Sequence, residues 1–279
     1  MFCLIKNMKI LISVDAEGLS WTVHGSQTLN DGQDYQIFRD IYTEQVNSVI
    51  IGALEGGANN VLINDAHGSS RNIIYKNLHK NANLIIGDPK PLSMMQGIEQ
   101  SDKAFLLGYH SKAGTINGVL NHTYSSNVHK LWLNGEEFGE IGLSAAVAGK
   151  LNKSIVFVAG DSAAIKEAEK IIDDAEFIVL KEGISRYSAI TPSYNDALKI
   201  LREGAKNAVK RNGKPFKVEE PINVKMEFLN SGMADYCTLV PFVKRIDGYT
   251  IEFEAKDIFD AYKLFRVMVV LSRGDHGGY

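Results

Sequence analysis

Carboxylate and imidazole side chains stand at three places along the sequence, each just after a short apolar run. Asp15 and Glu17 stand at the first place, His67 at the second and His110 at the third. A mixed set of carboxylate and imidazole ligands suits zinc and, less selectively, manganese or cobalt. Each residue alone also has a simpler interpretation, as a helix cap, a turn residue or a hydrogen-bonded histidine. The coincidence of all three places predicts a divalent-metal site.

Four apolar runs predict the strands that must position these side chains. The runs cover residues 10–14, 60–63, 104–108 and 155–159. Continuous runs of Ile, Val and Leu that are bounded by Gly and Asp are typical of strands buried on both faces. In an open parallel sheet, ligands gather at the carboxyl ends of the strands. The side chains that follow the first three runs are therefore expected to meet at one edge of a sheet.

Helical spacing of apolar residues separates the predicted strands. Helices are predicted from residue 37 to a stop at Gly56-Gly57, and over residues 140–151, 163–172, 195–209 and 257–271. Two later segments, 223–228 and 249–254, alternate polar and apolar residues as half-exposed strands do. The pattern predicts an α/β fold, with a three-layer, largely parallel sheet and a smaller α+β C-terminal region.

The change in pattern divides the chain into two parts. Residues 8–210 are predicted to form an α/β catalytic domain that binds the metal. Residues 211–279 are predicted to form the α+β C-terminal region, either as a unit of its own or as part of the same domain. The segment RNGKPFKVEEP, at residues 211–221, is the predicted hinge between them.

The composition excludes several classes of protein. Of 279 residues, 45% are hydrophobic and 23% are charged, which is typical of a chain with a folded core. The net charge of −3 gives no support to nucleic-acid binding, and no apolar run is long enough to span a membrane. Cys3 and Cys237 make no disulfide framework, and the first seven residues lack the layout of a signal peptide. A cytoplasmic protein is expected.

Five motifs in one order give the sequence a family resemblance. They are SVDAEG at 13–18, NDAH at 64–67, LGYH at 107–110, GVLNH at 118–122 and GEIGLSAAVAG at 139–149. Together they resemble the D-aminopeptidase family of binuclear zinc metallopeptidases, over nearly the whole chain from Met8. The resemblance implies two zinc ions per chain, an α/β fold and removal of N-terminal residues from short peptides that begin with a D-amino acid. It also implies a homo-oligomer, a ring-shaped homodecamer.

The resemblance also implies which residues form the site. Carried over position by position, the metal ligands are Asp15, Glu17, His67, His110 and Glu140. His122 takes the place of the family's catalytic histidine, as base, proton shuttle or nucleophile. Three ligand carboxylates and two divalent ions would be neutral with one bound hydroxide, and Asp15 is the expected bridge between the ions.

Two other functions remain open from the sequence. A phosphoesterase also uses Asp and His to hold two metals, but it needs a cation for the phosphate, and Lys112 is the candidate near the motifs. A non-catalytic relative that acts in binding or assembly is expected to have lost a ligand. Asp65 is expected either to orient His67 or to serve in a turn. Surface or local hydrogen-bonding roles are expected for the remaining acidic and imidazole candidates, Glu99, Glu136, Glu137, His24, His79, His129 and His276.

Overall fold

The computed structural model describes residues 8–274, and Cys3 and His276 lie outside them. The strands are β1 (Lys9–Val14), β2 (Asn60–Asp65), β3 (Ala82–Ile85), β4 (Lys103–Tyr109), β5 (Val128–Leu133), β6 (Glu136–Glu137), β7 (Ser154–Asp161), β8 (Glu176–Ser185), β9 (Ser188–Ile190), β10 (Ile222–Phe228), β11 (Lys244–Arg245) and β12 (Thr250–Ala255). The helices are α1 (Gly25–Thr28), α2 (Tyr35–Gly56), α3 (Glu140–Lys150), α4 (Ser162–Ala168), α5 (Tyr194–Ala208), α6 (Ser231–Cys237) and α7 (Ile258–Ser272). Two short 3₁₀ turns cover Ser93–Met95 and Ile98–Gln100.

A seven-stranded sheet forms the centre of the molecule. Its strand order is β3-β2-β1-β4-β7-β8-β9, and every pair is parallel except β8 with β9. The four apolar runs lie in β1, β2, β4 and β7, which are adjacent in the sheet. The prediction of a largely parallel α/β fold is therefore confirmed.

Both faces of this sheet are buried, which explains why its strands have continuous apolar sequences. In β1, Ile10 and Ile12 pack in the core that includes α2 and α5, while Leu11 packs in the core that includes α3 and α7. Neighbouring side chains of a strand point to opposite faces, so most residues along such a strand are apolar. Helices on both faces give the three layers.

Helix boundaries follow local signals in the sequence. Gly57, with φ of +108°, ends α2 in the left-handed conformation, at the stop that the sequence predicts. The Asp257 side chain accepts a hydrogen bond from Asp260 N and begins α7. Helix α4 ends at Ala168 rather than at residue 172, because the next turn tightens to bonds such as Ile171 N to Ala168 O.

A second, antiparallel sheet of five strands has the order β11-β12-β10-β5-β6. The alternating segments predicted as half-exposed strands form β10 and β12. Strands β5 and β6 come from an earlier part of the chain, before residue 210, and β5 pairs with β10. The smaller sheet thus takes strands from both sides of the proposed boundary at residues 210 and 211, and that division of the chain stays a prediction.

Several elements were not anticipated by the sequence patterns. They are β3, β5, β6, β8, β9, β11, α1 and α6. Among residues 8–274, no helix is long and apolar enough to cross a membrane. Cys237 is buried and forms no disulfide within the same range.

Two glycines allow the chain after β1 to pack against the end of β4. Gly18 N donates to Gly108 O at 2.8 Å, and Asp15 N donates to Leu107 O at 2.8 Å. A Cβ at Gly18 would lie 1.9 Å from Tyr109 O, and a Cβ at Gly108 would lie 2.2 Å from Asp15 O. The close approach joins the two segments that carry the first carboxylates and His110.

We expect Gly18→Ala to destabilise the protein, because the new methyl group overlaps a backbone carbonyl that cannot move without displacing β4. Overpacking of this kind costs about 1–3 kcal/mol of unfolding free energy. Thermal unfolding measures it, with Gly248→Ala as the control, since a Cβ there meets no atom within 4 Å. Equal melting temperatures for the two variants would show that the approach is not a constraint.

Candidate metal centre

The predicted ligands meet at the carboxyl ends of three adjacent strands. Asp15 follows β1, His67 follows β2 and His110 follows β4, and the sheet order places β1 between the other two. These side chains line or adjoin a cavity of about 450 Å³. The chain crosses from one side of β1 to the other between β2 and β4, and such a switch in strand order is where open α/β sheets bind ligands.

Asp15, Glu17 and His67 form one half of the site. The Nδ1 atom of His67 lies 3.2 Å from Asp15 Oδ1 and 3.2 Å from Glu17 Oε2. Both carboxylates are buried, and the His67 side chain is only 13% exposed, at the cavity wall. Imidazole and carboxylate atoms therefore converge on one small volume.

His110, Glu140 and His122 form the other half. His110 Nε2 lies 3.2 Å from Glu140 Oε1 and 3.5 Å from Asp15 Oδ2. The rings of His110 and His122 stack with centroids 4.1 Å apart, and His122 Nε2 lies 3.7 Å from Glu140 Oε1. The two oxygens of Asp15 thus face different halves, as a bridging carboxylate requires.

Each of the three histidines has one ring nitrogen at a backbone carbonyl. His67 Nε2 lies 3.1 Å from Thr28 O, His110 Nδ1 lies 2.9 Å from Ser111 O, and His122 Nδ1 lies 2.9 Å from Leu120 O. A carbonyl only accepts hydrogen bonds, so that nitrogen carries the proton. The other nitrogen faces the carboxylates in every case, and in the neutral ring it carries the lone pair that a metal would use.

Without a metal ion, the side chains of the cluster stabilise one another through opposite charges. Burial alone would lower the pKa of both histidines, but Glu17 raises the pKa of His67, and Glu140 that of His110, well above the usual value. Burial raises the pKa of Glu17, yet His67 brings it well below its usual value. Burial and the charge of Glu17 raise the pKa of Asp15. A metal cation bound by these imidazoles and carboxylates would displace the protons that they hold between them.

The donor set fits divalent zinc. His110 Nε2 and Glu17 Oε2 are buried and accept or donate no hydrogen bond among residues 8–274. Ligand atoms of Asp15, Glu17 and His110 lie within 4.8 Å of one another, and so do those of His110, His122 and Glu140. Buried polar atoms without partners are costly, and a bound cation would satisfy them.

Glu140 reaches the cluster from a different element. It is the first residue of α3, and its Oε1 accepts a hydrogen bond of 2.6 Å from Tyr124 N. The bond fixes the carboxylate and also ties the segment after His122 to the helix. An acidic residue is favoured at a helix start in any case, so the local sequence does not distinguish this ligand from an ordinary first-turn carboxylate.

Other candidates from the sequence have local roles. Asp65 accepts hydrogen bonds from Asn72 N at 2.6 Å and Ile73 N at 3.0 Å, so it supports the loop after His67 rather than orienting the imidazole. Lys112 Nζ lies 3.2 Å from Glu137 Oε1. The lysine is therefore already paired with a carboxylate, although a phosphoesterase would need it for the phosphate.

The remaining acidic and imidazole candidates are not part of the cluster. His24 caps α1, His79 Nδ1 accepts a hydrogen bond from Asn81 N, and His129 faces Glu227 at 3.7 Å. Glu99 accepts from Gly97 N at 3.0 Å, and Glu136 is exposed in β6. Local roles are therefore observed for the described members of this set.

Comparisons with known proteins agree with one another. A model of the D-aminopeptidase family of peptidases matches residues 8–267. The D-aminopeptidase of Bacillus subtilis strain 168 is 35% identical over 269 residues, covering 95% of this chain and 98% of that protein. The solved structure of DppA from Bacillus subtilis, a Zn-dependent D-aminopeptidase and self-compartmentalizing protease, has a TM-score of 0.92 at 34% identity. The match covers 98% of this chain and 100% of that one.

Two buried lysines hold the loops that carry the ligands. Lys181, 1% exposed, donates to the carbonyl oxygens of Glu17 at 2.5 Å, of Leu19 at 2.8 Å and of Thr22. Burial lowers the pKa of Lys181 to about 7, against the opposing effect of nearby carboxylates. Lys90 donates to Asp65 O at 2.5 Å, at the end of β2 and two residues before His67. Neither lysine was singled out from the sequence, because a single lysine gives no pattern.

We expect Lys181→Met to destabilise the protein and weaken zinc binding, because three buried carbonyl oxygens lose their donor and the Glu17 segment is released. Each unsatisfied buried acceptor costs about 1–3 kcal/mol. Denaturant unfolding and zinc titration measure the two effects. The matched control is Lys199→Met, since Lys199 is exposed on α5. Wild-type stability in Lys181→Met would contradict the role given to this lysine.

Proposed function

The chain belongs to the D-aminopeptidase family of peptidases, and we propose that it is a zinc-dependent aminopeptidase that removes the N-terminal residue from short peptides or amides beginning with a D-amino acid. One observation supports this most strongly. Three histidines each have one nitrogen fixed by a backbone carbonyl, and the other nitrogen directed at buried carboxylates in a cavity. That arrangement suits metal-assisted hydrolysis.

Five residues would hold the metal, as two ions per chain: Asp15, Glu17, His67, His110 and Glu140. Support comes from the position of Asp15, whose two oxygens face His67 and His110 on opposite sides. When bound, zinc polarises the scissile carbonyl and lowers the pKa of a water towards neutrality. The protein supplies rigid ligands, because backbone hydrogen bonds fix the orientation of both ligand imidazoles.

His122 is the proposed catalytic residue. Its Nδ1 donates to Leu120 O, so its Nε2 carries the free lone pair and faces Glu140. The His122 side chain is 22% exposed and lines the cavity, whereas the His110 side chain is 1% exposed. A base or nucleophile must reach the substrate, and Nε2 of His122 is placed to take or give a proton there.

Selection of a free N-terminus follows from the charge of the site. Three buried carboxylates surround the cavity end at which the scissile bond would lie: Asp15, Glu17 and Glu140. A protonated or metal-bound α-amine is favoured beside them, and an acetylated amine would lose both interactions. Aminopeptidase rather than endopeptidase action is therefore proposed.

Assembly and location belong to the same proposal. The similar Bacillus subtilis protein is described as a self-compartmentalizing protease, which supports a homo-oligomer for this chain. A homodecamer and a cytoplasmic location stay predictions.

We expect zinc content to separate His122 from the ligands. Purified protein should contain close to two zinc ions per chain, and a chelator should lower both activity and melting temperature, because a metal bound only by the folded chain stabilises it. His110→Ala should lose zinc together with activity. His122→Ala should keep both ions and its melting temperature, while kcat falls about 10²- to 10⁴-fold.

The control for these variants is His129→Ala, which removes a half-exposed imidazole from β5. Metal analysis and kcat are measured on all three proteins. Normal turnover by His122→Ala, or loss of a zinc ion from it, would refute its assignment as a catalytic residue that is not a ligand.

The substrate prediction is tested with p-nitroanilides of D-Ala, L-Ala and N-acetyl-D-Ala. We expect cleavage of the first only, because the free amine is part of recognition and the cavity is proposed to select the D configuration. Equal turnover of the L compound would reject the stereochemical part of the proposal and leave the metallopeptidase part standing. Turnover of the acetylated compound would reject recognition of the amine.

A further inference from the structure

Arg186 brings a positive charge to the wall of the same cavity. It lies at the tip of the hairpin between β8 and β9, and it lines the cavity together with His122. Its guanidinium donates through Nη1 to the backbone oxygen of Asn121 and, at 2.9 Å, to Asn121 Oδ1. Its Nε donates to Tyr187 Oη at 3.1 Å. These contacts leave Nη2 without a partner among residues 8–274.

No carboxylate pairs with this arginine within the described part of the chain. Arg266, which lines the same cavity, differs in this respect, because its Nη2 lies 3.1 Å from Asp88 Oδ1. Arg186 is half-buried, and its two polar partner residues are neutral. A partly desolvated guanidinium with a free donor and no counter-ion is suited to a ligand anion.

The position of Arg186 relative to His122 suggests which anion it meets. Arg186 contacts Asn121, the residue directly before His122, and Leu120 N donates to Arg186 O at 2.8 Å. Consecutive Cα atoms are about 3.8 Å apart. In a peptide substrate, the carboxyl carbon of the second residue is only three bonds from the scissile carbonyl carbon. A group that close to the reacting bond lies within reach of a side chain anchored next to the catalytic histidine.

We propose that Arg186 binds the C-terminal carboxylate of a short peptide substrate and so makes the enzyme select peptide acids over the corresponding amides. This inference rests on the proposed function. The free Nη2 donates a charge-assisted hydrogen bond to a carboxylate, whereas a terminal amide offers one neutral oxygen and no charge. With its carboxylate held by Arg186, the peptide is oriented with its amine towards the metal ligands.

The test compares kcat/KM for D-Ala-D-Ala and for its C-terminal amide. We expect the wild-type enzyme to prefer the acid by about 10- to 100-fold, the range of a charged hydrogen bond. Arg186→Met should bring this ratio close to one, mainly through KM for the acid. Arg186→Lys should retain an intermediate ratio, because it keeps the charge and loses the planar guanidinium that Asn121 and Tyr187 orient. Melting temperature and zinc content confirm that each variant is folded and loaded.

The matched control is Arg273→Met. Arg273 also lines the cavity but is exposed at the end of α7, and within residues 8–274 it forms no hydrogen bond or ion pair with the segment around His122. It should keep the wild-type ratio. Equal losses on both substrates in Arg186→Met would mean that Arg186 only positions His122 through Asn121, and would overturn the inference.

If Arg186→Met does not fold, the wild-type ratio and its change in Arg186→Lys decide the inference. Equal cleavage of acid and amide overturns it and leaves the proposed function intact. Cleavage of neither substrate, together with no cleavage of the D-Ala anilide, overturns both. A collapse of the ratio in Arg273→Met would assign the carboxylate to that arginine instead.

Discussion

Three carboxylates buried in one small volume are the constraint on which this structure depends. Asp15, Glu17 and Glu140 would repel one another and keep the cavity end protonated or unfolded unless cations were placed between them. His67 and His110 lie at hydrogen-bonding distances from these oxygens. Carboxylates and imidazoles are thus neighbours throughout the site. The negative charges of the carboxylates can remain buried at this sheet edge because the imidazoles, or bound cations, balance them.

The main chain, more than the side chains around it, gives the cluster its geometry. Backbone carbonyls fix the ring nitrogens of all three histidines, and Lys181 gathers the carbonyls of the segment that carries Glu17. Close backbone packing at Gly18 brings that segment against the end of β4. These contacts fix the ligand side chains and their backbone segments relative to the sheet, so they would restrict movement of the ligands of a bound metal.

The sequence predicts the central sheet well because its strands are buried on both faces. The short runs in β1, β2, β4 and β7 are typical of strands buried on both faces, and they are adjacent in the sheet. Strand β5 was missed because its sequence, VHKLWL, neither alternates nor is continuously apolar, and six residues are too few to separate it from a loop. Strand β8 is half-exposed over most of its length, and this weakens its apolar pattern in the same way.

Local sequence also predicts some residues of the candidate site and not others. His67 and His110 follow from strand ends, so the residues themselves predict their meeting. Glu140 comes from a helix start that follows the second sheet's strands, and only the family resemblance indicated it. Arg186 lies in a turn and is brought to the cavity by pairing between β8 and β9. A local sequence pattern cannot predict this placement, because Asn121 and Arg186 are far apart in the sequence and only the folded chain brings them into contact.

The charges of the cavity also bear on how one configuration can be selected at a single carbon. A tetrahedral centre is distinguished only when three of its substituents are fixed. Carboxylates and metals at one end would fix the amine and the scissile carbonyl, and a cation at the other would fix the direction of the chain. Two positions then remain at the α-carbon of the first residue. In one configuration the side chain takes the first position and the hydrogen the second, and in the opposite configuration the two are exchanged. Met94, Leu120 and Val269 line the cavity beside these charges, so an apolar wall is present on which a small side chain can pack. Selection of configuration therefore requires no residue specific to D-amino acids, only an asymmetric placement of charge and apolar surface around the reacting bond.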